Sequence, residues 1–407
     1  MIDIKLLREN PDVVRDSIKR RGLSIDIDKV LGLDQKRVAL MQQSESLRSK
    51  LKIDGKPTAD ELASLQETKK RFEQANNELE KLTDEYNELF TQIPNFIAEG
   101  TPEGGEENNR EEKRVGETQQ EFTPKDHIEL SELHNLIDFE AGAKVAGAKF
   151  YFLKNRAVKL WRAVTHLTMD ILEEEGFELL MVPHMVNMKV AEGTGYLPKG
   201  EENQNYIDKD QGLVMIATAE LPLTGLHMDD TLNIDKPKMY AGISPCYRLE
   251  AGTYGKFNKG LYRVHQFEKL EMYIYCRPDE SEAILQKILK VEERICSALE
   301  IPYRIIRIAA GDLSAPAYKK YDVEYFSPVE NEYRELTSCS NCTDFQARNL
   351  NIRFRNTNDK LEFVHTLNGT AVTSSRTLVA LLENHQQANG EVTIPEALQR
   401  YYGSAKL

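Results

Sequence analysis

From residue 59 onward apolar side chains return every seven positions, at Leu65, Phe72, Leu79, Tyr86 and Ile93. Thr68, Ala75, Leu82 and Leu89 fill the alternate positions. That is an a/d seam, and it predicts one long helix over residues 59–92. A shorter seam of Leu33, Leu40 and Leu47, with Val30 and Leu51 on the same side, predicts a partner helix over 28–51. Between the two, KIDGKPT carries Gly55 and Pro57, both helix breakers. Two seamed helices joined by a short turn predict an antiparallel coiled-coil arm, preceded by a small helical unit.

Beyond residue 97 the pattern changes. Residues 98–116 are rich in Glu, Gly and Asn with no apolar period, which predicts a mobile linker or an edge loop. From about residue 123, helical periods (157–174 and 280–300) alternate with β-rich runs (262–275 and 303–309). The strands cluster in hairpins, not in βαβ units, so an antiparallel sheet with flanking helices is expected. The fold class is α+β, with an arm-bearing domain over 1–97, a linker over 98–122 and the main domain over 123–407.

Composition changes this picture little. Of 407 residues, 40% are hydrophobic and 29% are charged, as in a globular chain with exposed helix. No apolar run reaches the roughly 18 residues of a membrane helix. The opening MIDIKLLRENPDVVRDSIKRRG lacks the apolar core of a signal peptide. Five cysteines in no framework spacing suit a reducing, cytoplasmic compartment. The net charge of −13 argues against a general nucleic-acid coat and a DNA partner. Local fields still decide local binding. Arg48, Lys50, Lys52, Lys56, Lys69, Lys70 and Arg71 gather in the outer half of the arm. They form either a solvated face with i,i+4 pairs or a basic rod that grips a nucleic-acid backbone by shape and charge.

The candidate chemistry lies in the main domain. Residues 247–271, YRLEAGTYGKFNKGLYRVHQFEKLE, predict two antiparallel strands around a long Gly-rich basic loop. Residues two apart share a strand face, so Arg263, Phe267 and Glu271 are expected in one pocket with Arg248. Guanidinium groups, an aromatic face and carboxylates together suit a nucleotide and an amine. The alternative is a solvated Arg/Glu ladder. Thr218 and Glu220 offer a hydroxyl and a carboxylate for an ammonium group, unless Thr218 merely caps a helix. Glu335 and Ser338 could bring two oxygens to a hard cation shared with phosphates. The nearby Cys339 and Cys342 form a lone CxxC with no second pair, which is not read as a metal site. Apolar spacing at Leu378, Val379, Leu381 and Leu382 predicts a helix beginning near Ser375. Arg376 in its first turn opposes the helix dipole, a misfit that suggests a facing anion. Neither a P-loop nor a strand-linked GxGxxG is present, so a nucleotide site here needs another architecture.

With these residues in view, the chain closely resembles the bacterial-type seryl-tRNA synthetases over nearly its whole length. GFELLMVPHMVN, containing Pro183, resembles motif 1 of the class II aminoacyl-tRNA synthetases, the dimer-forming segment. Residues 247–271 resemble motif 2 and NGTAVTSSRTLVALLENHQ resembles motif 3. GTGYLPK, TAELPLT, GDLSAPAYKKYDVE and YRELTSCSNCTDFQARN resemble segments distinctive of the seryl branch.

The resemblance implies a homodimer that activates L-serine with ATP and Mg²⁺ and transfers it to tRNA(Ser), with tRNA(Sec) as a second candidate acceptor. By position it implies that Arg248, Leu249 and Glu250 hold the nucleotide, with Arg248 clamping the α-phosphate and the serine carboxylate. Arg263 takes the phosphate tail, Phe267 stacks on adenine and Glu268 lies at the adenine edge. The run Glu335, Leu336, Thr337 and Ser338 sits with Mg²⁺ and phosphate, and Arg376 binds the γ-phosphate. Thr218, Ala219, Glu220 and Glu271 form the serine pocket, with Asn368 and Thr370 near the hydroxyl. Arg48, Lys50, Lys52, Lys69, Lys70 and Arg71 meet the tRNA. Departures from the family pattern are Leu249 in place of Ser, Lys256-Phe257-Asn258-Lys259 in the motif 2 loop, Thr370 in place of Ser, and Ser375 in place of Gly. Two rivals stand beside this reading: a paralogue loading an amino acid onto a carrier protein, and an inactive dimeric scaffold. The arm argues against the first, and the retained Arg248, Glu335 and Arg376 argue against the second.

Overall fold

The computed structural model describes residues 1–52, 58–118, 121–197, 204–250 and 259–407, and for 59–61 the backbone only. The expected arm turn at Gly55 and Pro57, with Lys56, and the Lys256–Asn258 part of the motif 2 loop lie outside the described residues. Two compact units emerge, Met1–Phe96 and Ile97–Leu407.

In the first unit, helix α1 (Ile27–Lys50) runs against helix α2 (Ala59–Phe90). Every expected seam position of α2, from Leu65 to Leu89, is buried or half-buried, and most residues between them are exposed. Heptad burial therefore carries this helix pair. Near the base the buried Asp34 takes two arginines, Arg8 at 2.6 Å and Arg37 at 3.0 Å. Burial resists its ionisation, but those hydrogen bonds win and hold its carboxyl below the ordinary value. Arg48, Lys50, Lys52, Lys69, Lys70 and Arg71 are all exposed, and Lys69 comes within 3.9 Å of Glu73.

The second unit is built on eight strands: β1 (Arg110–Val115), β2 (Glu178–Met181), β3 (Lys238–Tyr247), β4 (Gln266–Cys276), β5 (Tyr303–Arg307), β6 (Lys319–Ser327), β7 (Glu332–Asn341) and β8 (His365–Thr373). Their spatial order is β1-β5-β6-β7-β8-β4-β3-β2. Every pairing is antiparallel except β2 with β3. Helices α3 (Arg156–Glu174), α5 (Ser281–Ala298) and α7 (Arg376–Asn384) pack on one face, where Leu270, Met272, Ile274 and Cys276 of β4 join their core. The opposite face of β4 sends Tyr273 and Tyr275 into a second core with the short helices α4 (Glu220–Gly225) and α6 (Phe345–Asn349). A strand buried on both faces reads as a continuous apolar run, which is why its end lacks clean alternation.

One expectation needs correcting. The stretch read as a linker or edge loop carries β1, which pairs with β5 at the edge of the sheet. All but one of its residues are exposed, and all but one are charged. An edge strand wet on both faces has no apolar period, so the pattern was silent. Arg114 and Arg304 both reach Glu111, at 2.7 and 3.3 Å, and tie the edge down.

Beneath the sheet, Gly369 lets α5 press close. A Cβ there would lie 2.4 Å from Ile288 and 3.3 Å from Glu292. Glu292 is fully buried and neither carboxyl oxygen makes a well-formed hydrogen bond. Burial raises its pKa well above the ordinary value. The folded chain therefore keeps a proton that the unfolded chain releases above about pH 4.5. Stability falls by about 1.4 kcal/mol per pH unit above that point until the folded group titrates. Glu292→Met is thus expected to raise the melting temperature more at pH 8 than at pH 5. Equal gains at the two pH values would refute the assignment.

Candidate active site

Two irregularities decide which side chains meet. On β6 and β7, Glu324 faces Glu335 and Val323 faces Thr337, so Leu336 is the extra residue of a bulge. In a regular strand, residues three apart point to opposite faces. The bulge turns Ser338 onto the face of Glu335. On β4 and β8, Leu270 faces Val372 and Glu271 faces Thr370, with Ala371 extra. Thr370 and Thr373 then share the face of Lys269 and Glu271. Together these walls enclose a cavity of about 600 Å³.

One end is dominated by cations. Arg248 lies with its guanidinium carbon 5.1 Å from the centre of the Phe267 ring, and its Nε donates to the Ala217 carbonyl at 3.3 Å. Arg263 meets Glu250 at 3.2 Å. Glu250 itself sits at φ +44°, a strained left-handed conformation for a side-chain-bearing residue. Arg376 donates to the Glu335 carboxylate at 3.1 Å and to its carbonyl at 3.2 Å. Enclosure opposes ionisation of Glu335, but Arg376 and Lys320 outweigh it and hold the carboxyl at about 2. Still, 42% of that side chain is open to the cavity. Asp322 goes the other way, lifted to about 7 by burial and by the Glu335 charge although Lys320 lies 2.9 Å away.

The other end holds two buried carboxylates. Glu271 pairs with Lys269 at 2.6 Å and accepts from Asn368 and Thr370, each at 3.2 Å. Glu220 accepts from the Tyr196 hydroxyl at 2.7 Å and from the Gln346 amide at 2.8 Å. Burial first and the Glu271 charge second push Glu220 up to about 7. A cavity cationic at one end and anionic at the other fits a substrate pair carrying phosphates and an ammonium.

Most of the expected residues line this cavity: Arg248, Glu250, Arg263, Phe267, Glu271, the run Glu335 to Ser338, Asn368, Thr370, Arg376 and Glu220. Four do not. The Thr218 hydroxyl accepts from the Glu220 N–H at 3.2 Å, one residue ahead of the N-cap position that Ala219 holds, and Thr218 and Ala219 are fully buried outside the wall. Leu249 gives its N–H to the Gln204 carbonyl at 2.9 Å. Glu268 points to the opposite face of β4, where its carboxylate takes the Trp161 indole N–H. Arg263 enters from a bend before β4, not from the strand. Lys269, Lys320, Asp322, Tyr196 and Gln346 escaped the sequence reading. Lys269 had a signal, since it lies two residues from Glu271. Ser375 sits at φ −84°, so no glycine is required there.

Residues 202–385 match the model of the class II tRNA synthetase core domain for the Gly, His, Pro, Ser and Thr enzymes. Residues 1–97 match that of the seryl-tRNA synthetase N-terminal domain. A serine–tRNA ligase of Dictyoglomus turgidum is 46% identical over 100% of the chain and 99% of its own length. One from Treponema denticola is 43% identical over 99% of both. The crystal structure of Pyrococcus horikoshii seryl-tRNA synthetase with ATP superposes with a TM-score of 0.90 at 38% identity, over 100% of the chain and 99% of its own. That of the Naegleria fowleri cytoplasmic enzyme with AMP gives 0.86 at 30%, over 100% and 98%.

Proposed function

The chain belongs to the seryl-tRNA synthetase family, and we propose that its cavity seats ATP at the arginine end and serine at the carboxylate end. The activity is ATP-dependent serylation of tRNA. Serine carboxylate displaces pyrophosphate from the ATP α-phosphorus, leaving seryl-adenylate; the terminal ribose hydroxyl of tRNA then attacks the seryl carbonyl and releases AMP. Both nucleophiles come from the substrates, so the chain supplies position and charge. In this reading Arg248, Arg263 and Arg376 donate to phosphate oxygens, Phe267 takes the adenine face, and Glu250 contacts the nucleotide. The divided charge of the cavity is the observation that carries this reading.

Glu335 and Ser338 fit a Mg²⁺ ion. Among the described residues no three carboxylates, imidazoles or thiols cluster as a metal site. The ion would then be shared with phosphate oxygens, as Mg²⁺ commonly is. It would neutralise phosphate charge. Glu335, ionised and open to the cavity, suits that office.

Serine-dependent ATP–pyrophosphate exchange tests the whole assignment, since an inactive scaffold gives none. Charging of tRNA(Ser), tRNA(Sec) and a carrier protein in parallel separates the acceptors. Glu220 must be ionised to receive the ammonium. The serine KM is therefore expected to be flat above about pH 7 and to rise up to tenfold per pH unit below it. A flat profile down to pH 5.5 would remove Glu220 from the pocket.

Dimerisation belongs to the same proposal. Met181 is 87% exposed and Met185 37%, both within the motif 1 segment, and exposed methionines suit a partner surface. The five cysteines are all buried as thiols, which is consistent with a cytoplasmic location. Among the described residues no helix is long and apolar enough to cross a membrane.

A further inference from the structure

Gln346 does not line the cavity and is fully buried on α6. Its amide is nevertheless completely engaged. Oε1 accepts from the Tyr273 hydroxyl at 2.9 Å and from the Thr366 hydroxyl at 2.8 Å. Nε2 donates to Glu220 at 2.8 Å and to the Thr194 carbonyl at 3.3 Å. The amide cannot be turned over. A flipped group would set its oxygen against a carbonyl and a carboxylate, neither of which has a proton to give when ionised. Two hydroxyls that can donate therefore fix the oxygen, and two acceptors fix the nitrogen.

The anchors are informative. Tyr273 lies two residues from Glu271 on one face of β4, and Thr366 lies two residues from Asn368 on β8. Gln346 thus ties Glu220, which comes from α4, to the sheet positions that carry the rest of the carboxylate end. Tyr196 completes the arrangement by donating to the other Glu220 oxygen. Each oxygen of Glu220 then has one fixed donor and is held in one orientation at the wall.

We infer that Gln346 and Tyr196 are positioning residues for amino-acid recognition, which hold the Glu220 carboxylate in place to receive the substrate ammonium. This rests on the proposed role of Glu220. Buried amides bonded to a carboxylate restrain its geometry and favour its charged form. The groups acting on Glu220 from the surrounding elements are Glu271 and Lys269 of β4, Tyr196 and Gln346. Lys269 pairs with Glu271 at 2.6 Å and acts on Glu220 only through its charge, so Tyr196 and Gln346 are the two side chains that donate to the Glu220 carboxylate.

The test is steady-state ATP–pyrophosphate exchange with the full-length chain, varying serine and ATP separately between pH 5.5 and 8.5. Gln346→Met keeps the volume and removes the donors. It is expected to raise the serine KM roughly 10- to 100-fold, to leave the ATP KM within about twofold, and to move the acid limb of the serine KM to higher pH. Tyr196→Phe is expected to shift both quantities in the same direction by less. A folded Gln346→Met with the wild-type serine KM and acid limb, measured beside a Glu220→Gln that raises KM, overturns the inference alone. An unchanged KM in Glu220→Gln overturns the Glu220 role itself. If Gln346→Met fails to fold, Tyr196→Phe decides by the same criteria.

Discussion

Replacing Glu271 with alanine is expected to abolish serine-dependent pyrophosphate exchange, by about 10³-fold or more, while ATP still binds. Glu271 is 1% exposed and holds three partners, Lys269, Asn368 and Thr370. Its removal strands the Lys269 ammonium in a buried site, a loss of roughly 3–5 kcal/mol when one member of a buried pair is deleted. It also frees Asn368 and Thr370, the groups proposed to meet the serine hydroxyl. Glycine and alanine would leave such groups unpaired, and that loss discriminates strongly. Threonine must be refused by its extra methyl, against the methyl that Thr370 itself brings. Because the stranded cation could also unsettle the fold, Lys269→Met with Glu271→Leu is the informative companion. Replacing a buried ion pair by apolar residues of similar volume tends to restore stability, yet activation should stay lost. Equilibrium ATP binding and exchange on the same preparations decide it. Wild-type exchange in the Glu271→Ala variant would remove this residue from the pocket.

The site was legible where chemistry alone identifies a residue, and obscure where strand parity matters. Arg248, Glu335 and Arg376 are conspicuous in any reading, because cations and carboxylates at such places ask for partners. Glu335 and Ser338, three apart, should diverge on a strand, and only the bulge at Leu336 brings them together. Glu268 fails for the complementary reason. It lies three residues from Glu271 on a strand that is regular there against β3, so it points away while Lys269 takes its place. Parity along QFEKLE would have exposed that substitution. Gln346 and Tyr196 carry no charge and act through another residue, which leaves no sequence signal of their type. Heptad periodicity, by contrast, made α1 and α2 readable to within one or two residues of their ends. A long seam repeats its message at every turn, whereas a wet edge strand such as β1 offers none.

The same regularity gives the arm its own test. Ser44 donates to Asn76 across the helix pair at 2.6 Å, so Leu40 and Leu79 stand near one another on the two antiparallel helices. Deleting residues 40–79 and bridging the gap with a short Gly-Ser turn cuts both helices at matching heights. Below the cut remain Val30, Leu33, Tyr86, Phe90 and Ile93, all buried, together with the Arg8–Asp34–Arg37 cluster. The stump therefore keeps its own core. Removed with the arm are Arg48, Lys50, Lys52, Lys69, Lys70 and Arg71, six exposed cations on a chain of net charge −13. If those cations grip the backbone of a double-helical RNA arm, their loss removes several phosphate contacts at once, and affinity should collapse by orders of magnitude. Serine-dependent exchange needs none of them, because every proposed ATP and serine contact lies in the Ile97–Leu407 unit. The expected outcome is full adenylate formation with tRNA(Ser) charging reduced at least 10³-fold, and with wild-type charging falling steeply as salt rises. Unchanged charging in the truncated chain would rule the arm out as the tRNA-binding element. A parallel loss of exchange would show instead that the deletion had damaged the catalytic unit, which the melting curve would register independently.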